Sequence, residues 1–600
     1  MKRPLEANHT LSHSRLSIRP IGVVAVLAIV AIALNFKILT GGIIFDTDDL
    51  HVHLKWLQHF SHQLAEGSGY PRWLAGLNFG YGSPTFMFYP PAAMYLGSAL
   101  MALGLEAERS LAVLMLIATF TAGIGFYLFG QGQWRSRPAL CGALAYMSAP
   151  YMVYNLYHRG ALAEILATSL LPFGLFFTNR FIHRGKGWLA LTFFFALLSL
   201  THLPSLLLVA IAWALYILGA LTLQRLSFKR MFYLTTAPIV GFGLSSFYLI
   251  PAVFEKKLVN LNHMRSVSGG FAANLLPLLG GEQYGLRDLI LMFRYGIAST
   301  LVCLLIVVGL GAIAPNHSKP IGIKRTLPWL LSLCIVSFLM SPLSYSLWAA
   351  SPTLQMVQFP WRLMGLFALI YAGAFGLAVE ALWICWAKWK RAWLALLTAG
   401  LLVCLLGWNI KYAHAIESRH QGFYAPGDIT TERAEKSWRA DAYDRMALIL
   451  NDPFSNQLMD VTEYLPLLPN GKVVASPLLA QPPVAVVTGQ AAVTLEQWTG
   501  DYRRLSVAAS KASNLHVRTY NYPAWHAYIN GKALPIQTTS DGLIGIALKP
   551  GNHTIELRYQ ATVAMKVGYS LSGLSILYIG FWESAARLKA RKSMQSAQHL

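Results

Sequence analysis

The feature that most constrains this chain is the recurrence, along most of its length, of apolar runs long enough to cross a bilayer. A helix needs roughly 17–25 mainly apolar residues to span the hydrocarbon core, and a water-soluble fold has no use for so many such runs. Of the 600 residues, 55% are hydrophobic and 12% are charged, against about 25% charged in an ordinary soluble domain. The sequence therefore predicts an α-helical polytopic membrane protein.

The formal charge of +22 follows the spans. Basic residues gather in short connections: Arg180, Arg184 and Lys186; Arg225, Lys229 and Arg230; Lys319, Lys324 and Arg325; Lys388, Lys390 and Arg391. The tail adds Arg587, Lys589, Arg591 and Lys592. Loops rich in Lys and Arg stay on the cytoplasmic side. The charge thus reports topology and not a nucleic-acid partner, which would need a contiguous basic face. Lys2, Arg3, Arg15 and Arg19 place the N-terminus on the same side.

Spans at about 20–40, 110–130, 138–155, 165–180, 188–203, 205–222, 231–251, 296–314, 327–344, 361–381, 392–410 and 564–583 put every basic loop and the tail on that side. The segment 84–104 would make thirteen and invert all later loops. It opens with Pro84, Pro90 and Pro91, which break helical hydrogen bonding, so a re-entrant or interfacial piece is expected there. Irregular backbone at membrane depth is tolerated only beside protein or a wet cavity. The five cysteines (Cys141, Cys303, Cys334, Cys385, Cys404) all fall in apolar stretches, so neither a disulfide framework nor a Cys-x-x-Cys metal site is expected in the polar part. The first run has no small-residue cleavage site behind it and reads as a retained helix.

Three regions follow: 1–410 as a transmembrane domain with a first outer loop at 41–90, 411–563 as an extracytoplasmic β-rich domain, and 564–600 as a last helix with a basic cytoplasmic tail. The later half of 411–563 alternates apolar and polar residues at strand spacing. Tyr528-Ile529-Asn530-Gly531-Lys532 reads as a hairpin, because Asn-Gly accepts positive φ at both central positions. Ile544 to Leu548, Pro550 to His553 and Thr554 to Leu557 follow as strand, turn and strand. A small β-sandwich-like module fits.

Ionisable groups are nearly absent from mid-span, where ion-coupled transporters place them. They collect at the outer ends instead. The densest cluster is Asp46-Thr47-Asp48-Asp49, followed by His51, His53, His59 and His62. If a helix begins near Asp48, Asp49 and His53 share a face. Acids at a helix start serve equally as caps for free N–H groups, so capping and catalysis both stay open. Asp49 and His53 are also a candidate pair of ligands for a divalent metal ion, although two ligands fall short of the usual set. The rest of the first loop, including Gly69-Tyr70-Pro71-Arg72-Trp73 and Asn78 to Pro84, interleaves aromatics with Gly and Pro. That composition suits the headgroup region and would also suit a sugar or a lipid head.

Asp49 to Pro91, Tyr157-His158-Arg159-Gly160-Ala161-Leu162-Ala163-Glu164 and Gln358-Phe359-Pro360-Trp361-Arg362 together resemble the bacterial membrane family labelled "6-pyruvoyl-tetrahydropterin synthase-related". Tyr522 to Tyr528, through Gly551-Asn552-His553, resembles the closing domain of YfhO-like membrane proteins. Nothing in the chain resembles the soluble pterin enzyme's metal site. Both families look like the GT-C superfamily of polyprenyl-phosphate-sugar-dependent glycosyltransferases.

The resemblance implies a GT-C-like fold and an essential acid in the first outer loop, here Asp49, with a second acid, Glu164, from the next outer loop. An ion pair between Glu164 and Arg159 is the alternative. Asp48, His53, Arg72, Arg159, His202 and Arg362 become candidate substrate contacts, with Arg362 equally readable as an anchor beside Trp361. The implied donor is a lipid-linked sugar and the acceptor a cell-envelope glycan, lipid or protein. The implied location is the bacterial cytoplasmic (inner) membrane, crossed many times among membrane lipids, with both termini cytoplasmic. A non-catalytic lipid or polysaccharide exporter, an assembly factor or a GT-C scaffold without catalysis are the rival readings.

Overall fold

A computed structural model describes residues 20–41, 43–44, 47–224, 227–280, 285–313, 323–386, 396–397, 399–400, 402–405, 407–408, 410–411, 415, 423–424, 459–474 and 482–598. Asp46, the basic N-terminal residues, Arg225, Lys319, Lys388, Lys390, Arg391 and part of the expected span 392–410 lie outside these.

Among the described residues six helices are long and apolar enough to cross a bilayer: Pro20–Gly41, Ala107–Gln131, Leu162–Arg184, Arg287–Ala312, Pro360–Cys385 and Val563–Ser584. Two bent pairs raise this to eight if each pair is one span. Phe228–Leu244 meets Ser246–Phe254 at 76°, and Arg325–Met340 meets Pro342–Ala350 at 75°. Trp188–Thr201 and Leu203–Ala214 are shorter apolar helices.

Most expected spans are thus present as helices, and the departures have local causes. The segment read as 138–155 is not one rod. Ser136–Met147 stops at Ser148, a new helix starts on Pro150, and a π-helical turn, Asn155–Arg159, follows. The proline-led segment 84–104 gives a four-residue turn, Thr85–Phe88, and an eleven-residue helix, Ala92–Ala102. At 1.5 Å per residue that helix is about 16 Å long, too short to cross.

Arg109 Nη1 donates to the Leu39 carbonyl at 2.7 Å, and Tyr157 Oη to the Leu34 carbonyl at 2.8 Å. These contacts bring the end of Pro20–Gly41, the start of Ala107–Gln131 and the turn before Leu162 together. The helix Leu50–Ala65 caps this end, with Leu54, Leu57 and Phe60 fully buried.

The β-rich part is a sandwich of two antiparallel sheets. One has four strands in the order Val484–Thr488, Ser513–Tyr520, Leu543–Leu548, Gln537–Thr538. The other has five, in the order Ala491–Trp498, Tyr502–Ala509, Gly551–Tyr559, Trp525–Ile529, Lys532–Leu534. The Asn-Gly hairpin forms as expected: Ile529 pairs with Lys532, and Asn530 and Gly531 take φ of 48° and 80°. Leu543–Leu548 and Gly551–Tyr559 are consecutive but sit in different sheets, so the turn between them crosses the sandwich.

The sandwich is tied to the helical end. Buried Glu255 accepts from Tyr522 Oη at 2.7 Å and from Thr562 Oγ1, and Gly500 N donates to Glu66 at 3.0 Å. The segment 459–474 is pinned by buried Asp460. Its carboxylate accepts from Trp56 Nε1 at 2.7 Å, Ser83 Oγ at 2.6 Å and Thr85 Oγ1, while its N–H donates to Asn78 Oδ1 at 2.9 Å.

Candidate functional site

Asp49 stands at the N-cap position of Leu50–Ala65 with φ −115° and ψ −16°, but its side chain makes no capping hydrogen bond. The carboxylate is 43% exposed and lies 3.5 Å from Arg159 Nη2. Of the two roles left open by the sequence, capping is not the one this carboxylate fills. His53 sits one turn on, its N–H bonded to the Asp49 carbonyl at 3.1 Å, and both residues line one cavity.

The turn carrying Asp49 is zipped to the turn carrying Arg159. Asp48 N donates to the His158 carbonyl at 3.3 Å, and Asp49 N to the Arg159 carbonyl at 2.8 Å. Gly160 makes the approach possible. It has φ +60°, and a Cβ there would lie 2.7 Å from Leu50 Cβ and 2.8 Å from Thr47 Oγ1. The preceding π-helical turn, a local departure often found at functional sites, delivers Arg159 into the cavity.

Glu164, in the first turn of Leu162–Arg184, is 2% exposed. Arg159 Nη1 approaches its Oε2 at 2.6 Å and Arg362 Nε at 3.3 Å, and Tyr151 Oη donates to its other oxygen. The Glu164–Arg159 ion pair left open by the sequence is therefore present, with a second arginine added. An aromatic platform backs both guanidiniums, with Arg159 4.8 Å from the Trp361 ring centre and Arg362 5.1 Å from that of Phe359. Those two rings stack at 4.8 Å, and Trp361 Nε1 is fixed by Asn274 at 3.0 Å. A buried carboxylate survives only when paired and hydrogen-bonded. Here it is, and in return it holds two cations side by side.

These groups line a cavity of about 1470 Å³. Asp48, Asp49, His53, Arg159, Glu164, His202 and Arg362 form its polar part, and Leu203, Leu207, Leu249, Val253 and Leu289 an apolar flank. His202 Nδ1 pairs with Ser205 Oγ at 2.8 Å. Burial, aided by the Arg159 charge and opposed by Asp49, lowers the His53 pKa from 6.5 to about 4. The His53 ring is neutral at pH 7, with a buried Nδ1 that makes no hydrogen bond among the described residues.

Arg72 is not brought here. It donates to the Phe247 carbonyl at 2.8 Å and to Tyr569 Oη at 3.3 Å, and lies over the Tyr70 ring at 4.1 Å. It locks the first loop to the last helix. His62 pairs with Glu66 at 3.4 Å, away from the cavity. Asp49 and His53, the candidate pair for a divalent ion, both line the cavity. Among the described residues no three His, Cys, Asp or Glu side chains converge to hold an ion, whereas a zinc site draws three or four ligands from the protein. Arg159 already sets a positive charge beside Asp49.

Other cavity residues carried no individual signal in the sequence: Tyr89, His158, Lys256, Gln358 and Glu463. Three of them stand inside stretches the sequence did single out as blocks, Tyr89 within Asp49 to Pro91, His158 beside Arg159 and Gln358 ahead of Arg362. Asp460 had no signal, because its partners lie about 380 residues away.

Residues 86–414 match the sequence model of the family described as "6-pyruvoyl-tetrahydropterin synthase related domain; membrane protein", and residues 485–572 match that of "Bacterial membrane protein YfhO". No curated protein matches the chain. Among solved structures, the oligosaccharyltransferase of Archaeoglobus fulgidus in the apo form is 14% identical with a TM-score of 0.40. That match covers 74% of this chain and 61% of the other. The arabinofuranosyltransferase AftD from Mycobacteria is 16% identical with a TM-score of 0.43, over 71% of this chain and 30% of that one. ArnT from Cupriavidus metallidurans, bound to undecaprenyl phosphate, is 14% identical with a TM-score of 0.29, over 61% and 79%. The chain thus spans less than two thirds of the first two proteins' lengths.

Proposed function

The chain belongs to the membrane-protein family described as the 6-pyruvoyl-tetrahydropterin synthase related domain, and from that premise we propose that it is a glycosyltransferase. It moves a sugar from a polyprenyl-phosphate donor to an acceptor hydroxyl on the extracytoplasmic side of a bacterial inner membrane. The observation that carries the reading is the orientation of Asp49: a carboxylate at a helix start, unused as a cap, turned to a cavity that holds two guanidiniums. The sequence resemblance to GT-C enzymes supports it by asking for an acid at this place.

In the reaction the acceptor oxygen attacks the anomeric carbon, forming the new glycosidic bond as the bond from that carbon to the phosphate oxygen breaks. Asp49 takes the acceptor proton, a role typically worth 10²–10⁴-fold. The bond electrons leave with the polyprenyl phosphate. Arg159 and Arg362 meet its charge with fork-shaped donors suited to phosphate oxygens. Glu164, buried between them, acts as their fixed counter-charge and not as a second base. Asp48, His53 and His202 contact the sugar or acceptor, and the apolar flank receives the start of the prenyl chain. No step is assigned to a metal.

The test is transfer of radiolabelled sugar from a panel of polyprenyl-phosphate donors in membranes, wild type against Asp49→Asn. The expected result is turnover by the wild type and a fall of at least a hundredfold in the mutant at equal expression. Equal turnover in both sinks Asp49 as base. A wild type inactive with every donor favours the exporter or scaffold reading.

A further inference from the structure

Gln358 lines the cavity and is 7% exposed, yet its backbone lies at φ +67°. The Phe359 N–H donates to the Val357 carbonyl at 2.9 Å, which makes Gln358 the central residue of a positive-φ γ-turn, a rare and strained form. Side chains other than glycine, and less often asparagine or aspartate, avoid this region. The turn has a visible backbone purpose, since the same Val357 carbonyl accepts from Arg362 Nη1 at 2.7 Å and so orients that guanidinium. A glycine would build the same turn without strain, so the backbone does not account for a glutamine.

The side chain does. An amide offers one acceptor and two donors, and that of Gln358 makes no hydrogen bond among the described residues. Strained backbone at a binding wall is a pointer toward function. The Arg362 guanidinium touches the residue next to Gln358, so an anion held by Arg362 sets whatever it carries beside the Gln358 amide. The aromatic pair Phe359 and Trp361 continues the same wall.

We propose that Gln358 is a specificity-determining residue that reads the hydroxyl groups of the donor sugar, resting on the donor class proposed above. A site built to hydrogen-bond a hydroxyl rejects a ligand lacking it far more strongly than an apolar site does. Gln358 therefore senses the sugar, whereas Arg159 and Arg362 sense the phosphate common to all donors.

The experiment uses the full chain in nanodiscs and measures binding of undecaprenyl phosphate and of the same lipid carrying one of several sugars. The wild type binds at least one sugar-bearing lipid tenfold or more tighter than the bare lipid. Gln358→Gly, which relieves the strain and keeps a melting temperature no lower than wild type, loses that increment while its affinity for the bare lipid stays within twofold. Gln358→Asn, tolerated at positive φ but with a shorter amide, reorders the sugar preference. A Gln358→Gly variant that keeps the increment, or a wild type with none for any sugar, overturns the proposal. Failure of the transferase reading shows separately, as a wild type that binds with the increment intact but turns nothing over.

Discussion

Asp49 and Glu164 are the same functional group in opposite surroundings, one 43% and the other 2% exposed on its side chain. The buried one is committed to Arg159, Arg362 and Tyr151, and the open one faces the cavity. The sequence could place an acid at a helix start, because N-cap positions are written in local residue order. It could not say where the carboxylate turned, since that depends on Arg159, which lies 110 positions away. His53 extends the argument to pH. Its folded-state pKa, about 4, lies below the ordinary 6.5, so as pH falls the unfolded chain takes up a proton first. The associated stability is complete above pH 6.5 and is lost as pH falls toward 4, with a limiting slope of ~1.4 kcal/mol per pH unit. Thermal unfolding of the purified protein between pH 7 and 4 should show a falling midpoint, and His53→Gln should flatten the curve across that window. Parallel curves for the two proteins would remove His53 as the cause.

At the scale of elements, apolar length and proline position were enough to foretell most helices and the non-crossing segment after Pro84. The breaks were harder to read, because a π-helical turn at Asn155–Arg159 has no composition of its own. It is fixed by what it must reach, the turn of Asp49. Gly160 is where that contact can be tested. Gly160→Ala adds a methyl that meets Leu50 and Thr47 at 2.7–2.8 Å on top of the left-handed strain of about 1–2 kcal/mol. Gly185 supplies the control, with nearly the same φ of +64° but open space around the missing Cβ. Both alanine variants should lose a similar, small amount of stability through strain. Only Gly160→Ala should separate Asp49 from Arg159, and displacement near 1 Å costs about a hundredfold in rate. Comparing kcat/KM and melting temperature of the two variants isolates the contact from the strain, and equal activity in both would falsify the zipper.

For the whole molecule the question is how a β-sandwich module takes part in a cavity built by helices. Its leading segment, 459–474, supplies Val461, Glu463 and Tyr464 to the cavity wall, and Asp460 sets the position of that wall. No short-range pattern marks Asp460, because its meaning comes from Trp56, Asn78, Ser83 and Thr85 across a fold that the chain closes only once the sandwich docks. Replacing it with alanine strands three buried donors at once, and each unsatisfied group costs roughly 1–3 kcal/mol. Asparagine keeps the shape and part of the acceptor capacity, so its cost should be smaller. Asp460→Ala should therefore lower the melting temperature, open the 459–474 segment to limited proteolysis and reduce transfer, with Asp460→Asn intermediate on all three. Asp49→Asn, whose carboxylate is half in water, should lose transfer while leaving melting and proteolysis at wild-type values. If Asp460→Ala instead kept full transfer with a loosened segment, the wall would be dispensable and the catalytic cavity would belong to the helical part alone.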